Sequence, residues 1–205
     1  MRFKISEMRN IEQVKKSIKE SAAELFERFG YDKTTLEDIA ARANKAKTAV
    51  YYHFGGKLDV LNANLEDEFN SVIDTLQTIR NEKGNEILPQ FRAYLRKRID
   101  LLDKATLYRR FIIDTLTKSN GEVAGIVNMQ RSRFDRWEKE YFTKVCKRAL
   151  QEGIFQSAVE PAIFGETMST MLKGLELQYF ISNNQSASSA TYNEVMERML
   201  SGFCK

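Results

Sequence analysis

Residues 34–57, TTLEDIAARANKAKTAVYYHFGGK, decide how this chain is read. Leu36, Ile39, Ala40 and Ala43 recur at three- and four-residue spacing, which is the buried face of a short helix. Thr34 with Glu37 fits a capping box and Thr35 with Asp38 is a close variant, so a helix starts here. Asn44-Lys45-Ala46 is a turn, and Asn44 can end the helix because Asn tolerates the left-handed conformation. A further helix from about Lys47 to Phe54 sets Ala46, Val50 and Phe54 inward and projects Lys47, Thr48, Tyr51 and Tyr52 from the other side. Gly55-Gly56 breaks it, and Lys57 opens a long helix through about Ile79. Two short helices about a tight turn predict a helix-turn-helix whose second helix ends in aromatics and the single histidine, His53.

Upstream, Ile11, Val14, Ile18, Ala22, Leu25, Phe26 and Phe29 form one face of a helix that Gly30 ends. Downstream, residues 81–86 read as a loop, and helical periodicity resumes at Ile87, Phe91, Tyr94, Leu95, Arg98 and Leu102, then from Leu107 to Leu116. Residues 119–121 are another break. A long helix from about Val123 to Gln151 is closed by Gly153, and Pro161 suits the first turn of the next. Residues 182–190 are a polar loop before a last helix carrying Tyr192, Val195, Met196, Met199, Leu200 and Phe203. The pattern is all-α: about nine helices, three small ones and then a larger helical body. Two prolines in 205 residues fit that reading, since proline removes a helical donor.

Hydrophobic content of 42% and charged content of 29% are those of a globular chain. No apolar run approaches the roughly 20 residues that span a bilayer, and the N-terminus lacks the apolar core of a secretory signal. Cys146 and Cys204 make no disulfide framework, so a cytoplasmic protein is expected, with Cys146 buried in a helix and Cys204 in the tail. Residues 1–57 carry 12 Lys/Arg against 8 Asp/Glu, which is the whole of the +4 surplus. A basic first quarter on a neutral body is what a DNA-facing domain requires. With one histidine and no Cys or carboxylate at ligand spacing, no catalytic residue, metal site or cofactor is expected.

The patterns LF.R.GYD.TT..DIA and A......VYYHF.GK.D.L, carried here from Leu25 to Leu61, resemble the TetR family of bacterial transcriptional regulators. The match covers about residues 10–62; beyond it, only length and helix order agree. The resemblance implies a two-fold-symmetric homodimer that binds a palindromic DNA operator and releases it when a small molecule enters the C-terminal domain. It places Lys47, Thr48, Ala49 and Tyr51 at base-contacting positions and Thr35, Tyr52, His53 and Lys57 at phosphate-contacting ones. The residue chemistry agrees: Lys suits guanine O6/N7, and Thr and Ala can pack on a thymine methyl. Tyr and His suit phosphate oxygens, as do helix N-termini such as those near Thr35 and Lys57. The turn departs from the family's usual Gly–apolar–Ser. Ala46 lacks a capping hydroxyl, worth about 1 kcal/mol, and Lys45 must snorkel outward.

These readings divide the chain into a DNA-binding domain (1–56) and a helical ligand-binding and dimerisation domain (57–205). In the body, Phe91, Tyr94, Tyr108, Phe111, Phe134, Trp137, Met168 and Met171 are core residues or, by the resemblance, the lining of a cavity for a small-molecule effector. Arg109, Arg110, Arg131, Arg133 and Arg136 read as a solvated face. Phe164, Met168, Leu172, Leu175, Tyr179, Val195 and Met199 are the apolar stripes of the last two helices, which paired across a two-fold axis would form a four-helix bundle. The function expected is a ligand-responsive repressor that is not an enzyme. The alternatives are an activator of the same fold, or an all-α carrier or enzyme with a basic appendage; binding to a palindromic DNA fragment separates these classes.

Overall fold

The computed structural model describes residues 2–82, 86–117, 121–156, 158–182 and 189–205, with residues 2–9, 189 and 190 described by their backbone alone. Nine helices lie among the described residues: α1 (Arg2–Phe29), α2 (Leu36–Arg42), α3 (Lys47–His53), α4 (Lys57–Asn81), α5 (Ile87–Lys104), α6 (Thr106–Thr117), α7 (Gly121–Gln151), α8 (Pro161–Ile181) and α9 (Ser189–Phe203). The first is not small; α1 has 28 residues and the short helices are α2 and α3. Of the three expected loops, residues 83–85, 119–120 and 183–188 lie outside the described residues. No helix among the described residues is long and apolar enough to cross a membrane.

Backbone chemistry sets the ends of the helices. Gly30, at φ 82°, closes α1 and donates its N–H to the Phe26 carbonyl at 2.9 Å. Gly153, at φ 70°, closes α7 in the same region of backbone space. Pro161 opens α8, whose Ile163 N–H is capped by the Glu160 carboxylate at 2.7 Å. The chain end is fixed by an antiparallel bridge between Phe155 and Cys204.

Helix α1 buries Ile18, Ala22 and Phe26 against α2, α4 and α6, while α2 packs on α3. Phe29 was expected on that buried face but is 45% exposed, because Gly30 turns the chain there. At the centre of the body α7 packs on α4, α5, α6 and, most extensively, α8. The α7–α8 crossing is close: a Cβ on Gly165 would lie 2.9 Å from the Lys139 carbonyl oxygen, so only glycine fits.

Aromatic rings fill most of this body. Phe69 meets Tyr108 and Phe134 at 4.7 and 5.5 Å, Phe91 meets Phe142 at 5.7 Å, and Tyr94 meets Tyr141 at 4.5 Å. Trp137 is half-buried, stacked on Phe134 and covered by the Arg80 guanidinium 4.4 Å from its ring centre. Phe91, Tyr94, Tyr108, Phe134 and Met168 are thus packed core side chains, and Phe111 borders a cleft of about 260 Å³ between the α1–α2 link and α6–α7. Met171 points outward and is exposed, so it lines no interior cavity.

At the heart of the rings sits a charged cluster. Arg98 donates from Nε to Glu138 Oε1 at 2.7 Å and pairs through Nη2 with Glu176 Oε2 at 2.9 Å. Tyr94 donates its hydroxyl to Glu138 at 2.8 Å, and Tyr108 donates to Glu176 at 2.6 Å. Arg131 bonds Glu176, the Tyr108 hydroxyl and, through Nε, Asp135. Arg131 is therefore not part of a solvated face; it is fully buried, whereas Arg136 is exposed. Burial alone would push the Glu176 carboxyl up, but Arg131 and Arg98 hold it below the ordinary carboxylate value. The two buried arginines and two buried glutamates balance in charge, which is the condition for keeping them out of water.

The α8 stripe also faces inward. Phe164, Met168 and Leu172 are covered by the chain's own core, and Tyr179 is buried but for a small exposed edge. Leu175, Val195 and Met199 are half-buried. The large apolar residues that α8 exposes are Ile163, Met171 and Ile181.

Candidate nucleic-acid interface

Helix α2 is held by a complete capping box on Thr35, not on Thr34. The Thr35 hydroxyl accepts from the Asp38 N–H at 3.1 Å and donates to Asp38 Oδ2 at 2.6 Å, and Oδ2 accepts from the Thr35 N–H at 3.0 Å. Thr34 is buried and donates to the Gly30 carbonyl at 2.8 Å, tying the link back to α1.

The turn is firm despite its unusual residues. Asn44 takes φ 53°, its N–H reaches the Ala41 carbonyl at 3.1 Å, and the Lys45 N–H reaches Ala40 at 2.9 Å. Those two bonds are a Schellman closure, which satisfies the Ala40 and Ala41 carbonyls from the backbone itself, while the Ser17 hydroxyl donates to the Ala43 carbonyl. Ala46 then begins α3 with no side-chain cap, and it is exposed, not inward as its spacing suggested.

Val50 is fully buried and anchors α3 to the α1–α2 core. From the opposite face project Lys47, Thr48, Tyr51 and Tyr52, all exposed, with Tyr52 at 79% the most exposed large side chain named here. Ala49 and His53 are partly covered, and the His53 ring stands edge-on to Tyr52 at 4.9 Å. A seven-residue helix with one wholly buried anchor and four projecting polar or aromatic side chains can enter a groove without unpacking.

Two of the expected phosphate contacts are occupied within the chain. Thr35 spends its hydroxyl on the capping box. Lys57 donates from Nζ to the Tyr31 and Thr34 carbonyls, each at 2.8 Å, and sits 4.1 Å from the Tyr31 ring centre. Burial lowers its pKa. Lys57 thus pins the start of α4 to the α1–α2 link.

A sequence model of the family described as "Bacterial regulatory proteins, tetR family" matches residues 18–63, the stretch just described. Over those residues the chain is similar to the TetR family. Among similar TetR-family proteins is the biofilm operon icaADBC HTH-type negative transcriptional regulator IcaR of Staphylococcus epidermidis, 39% identical over 72 residues, 35% of this chain and 38% of IcaR. Its Staphylococcus aureus counterpart is 38% identical over 74 residues, 36% of this chain and 40% of that protein. The chain thus matches well under half the length of these curated relatives. The whole fold resembles the SmeT–triclosan complex, with TM-score 0.74, 21% identity and coverage of 94% of this chain and 92% of that one. NalD, the secondary repressor of the MexAB-OprM efflux pump of Pseudomonas aeruginosa, gives 0.71, 20%, 96% and 98%.

What the residue pattern does not reveal is polar contact across helices. Glu37 of α2 forms an ion pair with Lys47 of α3. Glu68 of α4 accepts the N–H groups of Leu107 and Tyr108 at 3.0 and 2.8 Å, capping α6. Arg110 of α6 donates to the Glu27 carbonyl near the end of α1. The buried cluster did leave a signal: Glu176 falls on the four-residue repeat Phe164, Met168, Leu172, and Arg98 on the stripe Tyr94, Leu95, Leu102. A charge in register with an apolar face calls for a buried partner.

Proposed function

We propose that this chain is a ligand-responsive transcriptional repressor that binds a palindromic DNA operator as a homodimer through residues 1–56. The observation that carries this reading is α3, anchored by a fully buried Val50 and presenting Lys47, Thr48, Tyr51 and Tyr52 outward. Lys47, Thr48, Ala49 and Tyr51 would meet base edges, and Tyr52 and His53 would meet phosphates, with Thr35 and Lys57 holding the α2 and α4 N-termini toward the backbone. The relatives described as negative regulators support repression.

Residues 57–205 would supply dimerisation and effector binding. Ile163, Met171 and Ile181 on the outer face of α8 support pairing through α8 and α9 across a two-fold axis, which is an isologous contact. Solved SmeT carries triclosan, which supports an effector acting on the body. Helix α4 starts at Lys57, directly after the recognition helix, and packs on α5, α6 and α7. A ligand that favours a shifted α4 would move the two recognition helices off adjacent major grooves, roughly 34 Å apart. Gel-shift and footprinting on the chain's own upstream region test this. A protected palindrome is expected, with Tyr52→Phe weakening all sequences alike and Lys47→Ala changing sequence preference; no bound fragment at moderate salt sinks the reading.

A further inference from the structure

Lys47 is the lysine at the start of α3, exposed on its outward face, and its ammonium is engaged within the chain. Its ammonium pairs with the Glu37 carboxylate from the first turn of α2 and lies 5.6 Å from the Tyr51 ring centre. Both partners stay solvent-accessible, with side-chain exposures of 45% for Lys47 and 60% for Glu37. An exposed ion pair of this kind adds little to stability. A negative charge on the face that meets phosphates also opposes DNA binding as a whole. The pair is thus poorly explained by folding and unfavourable for affinity.

We propose that Glu37 is a positioning residue for sequence reading: it holds the Lys47 ammonium over Tyr51 so that Lys47 addresses a base edge instead of a phosphate. A lysine stem is flexible and its ammonium is a strongly hydrated point charge, so left alone it meets whichever phosphate is nearest. The ammonium has three donors. It can keep one on Glu37 while giving the others to guanine O6 and N7, two adjacent acceptors on one base edge. A phosphate contact would pull Lys47 off Glu37 and bring the carboxylate toward the DNA backbone. Glu37 therefore favours sites with guanine at the position Lys47 reaches and disfavours non-specific DNA. The lowered Glu37 pKa, caused first by its hydrogen bond from Lys47, keeps the carboxylate ionised.

This rests on the DNA-binding reading above, and one experiment keeps the two apart. Full-length wild type, Glu37→Gln, Glu37→Asp, Lys47→Ala and the Glu37→Gln/Lys47→Ala double variant are each used to select from a pool of random DNA duplexes. Affinity is then titrated against the selected duplex and a scrambled one over a salt series. Wild type is expected to select a site with a guanine that Lys47→Ala no longer requires. Glu37→Gln is expected to bind scrambled DNA several-fold more tightly, to lose about tenfold in the ratio of selected to scrambled affinity, and to steepen the log–log salt dependence by about one contact. Glu37→Asp keeps the charge but not the reach, so it should lose the guanine preference as Glu37→Gln does; if it behaves as wild type, charge repulsion and not positioning is at work and the proposal fails. In the Lys47→Ala background Glu37→Gln should no longer change base preference. A wild type that selects no duplex removes the DNA-binding reading itself. A wild type that selects a site, with Glu37→Gln giving the same base preference and ratio, overturns the role of Glu37 alone.

Discussion

Thr35 is the N-cap of α2. Its hydroxyl was expected to meet phosphate, yet it is engaged in both directions with Asp38. Thr35→Ala should cost about 1 kcal/mol of stability, the usual value for a lost N-cap, read as a lower urea midpoint. DNA affinity should fall with it, because α2 supports α3; an unchanged midpoint would mean the capping box carries no weight. Lys57 makes the same point, since its two carbonyl contacts make it a strut between α4 and the α1–α2 link. Residue type and spacing marked both positions as important. They did not tell a cap or strut from a phosphate ligand, because the same hydroxyl or ammonium serves either use and the neighbours decide.

At the scale of elements, α6 ties α1 to α4. Glu68 of α4 caps its N-terminus, Arg110 ties it to the end of α1, and Phe111 meets Phe26 edge-on at 6.3 Å. Burial pushes the Glu68 carboxyl up to about 6 from 4.5, against the lowering effect of the two N–H bonds. The folded chain therefore binds more protons than the unfolded one between those values. Glu68's contribution to stability is fully present below pH 4.5 and is lost as pH rises through 6. Relative to Glu68→Gln, wild type should lose about 2 kcal/mol between pH 4.5 and 7, from the usual conversion of a pKa shift to free energy. Urea unfolding across that range measures it, and a flat difference would show that the burial is relieved by water. Helix existence was legible from periodicity, Gly30, Gly153 and Pro161. The capping of one helix by another was not, because a glutamate on α4 carries no mark of the distant N–H groups it meets.

Across the whole molecule, the body is organised around charge as well as apolar surface. Arg98, Arg131, Glu138 and Glu176 are fully buried among aromatic rings, and removing one leaves its partners unpaired away from water. Arg98→Met should cost about 3–5 kcal/mol in guanidinium unfolding, and adding Glu138→Leu should recover only part of that loss, since it removes one unpaired carboxylate but takes the acceptor from the Tyr94 hydroxyl and leaves Glu176 with Arg131 alone. If the single variant costs under about 1 kcal/mol, water reaches the cluster and it is not a dry pair.

The stretch from Thr34 to Lys57 determined by itself the two helices, the left-handed turn at Asn44 and the outward face of α3, because helix periodicity, capping and glycine or asparagine geometry are local properties of the chain. Only the tertiary structure decided that Thr35 caps, that Lys57 pins, that Lys47 rests on Glu37, and that Phe164, Met168 and Leu172 turn inward while Ile163, Met171 and Ile181 face out. Those are choices between equivalent uses of one side chain. They depend on which helix packs beside it, and α2 against α3 or α7 against α8 is fixed by contacts far apart in sequence.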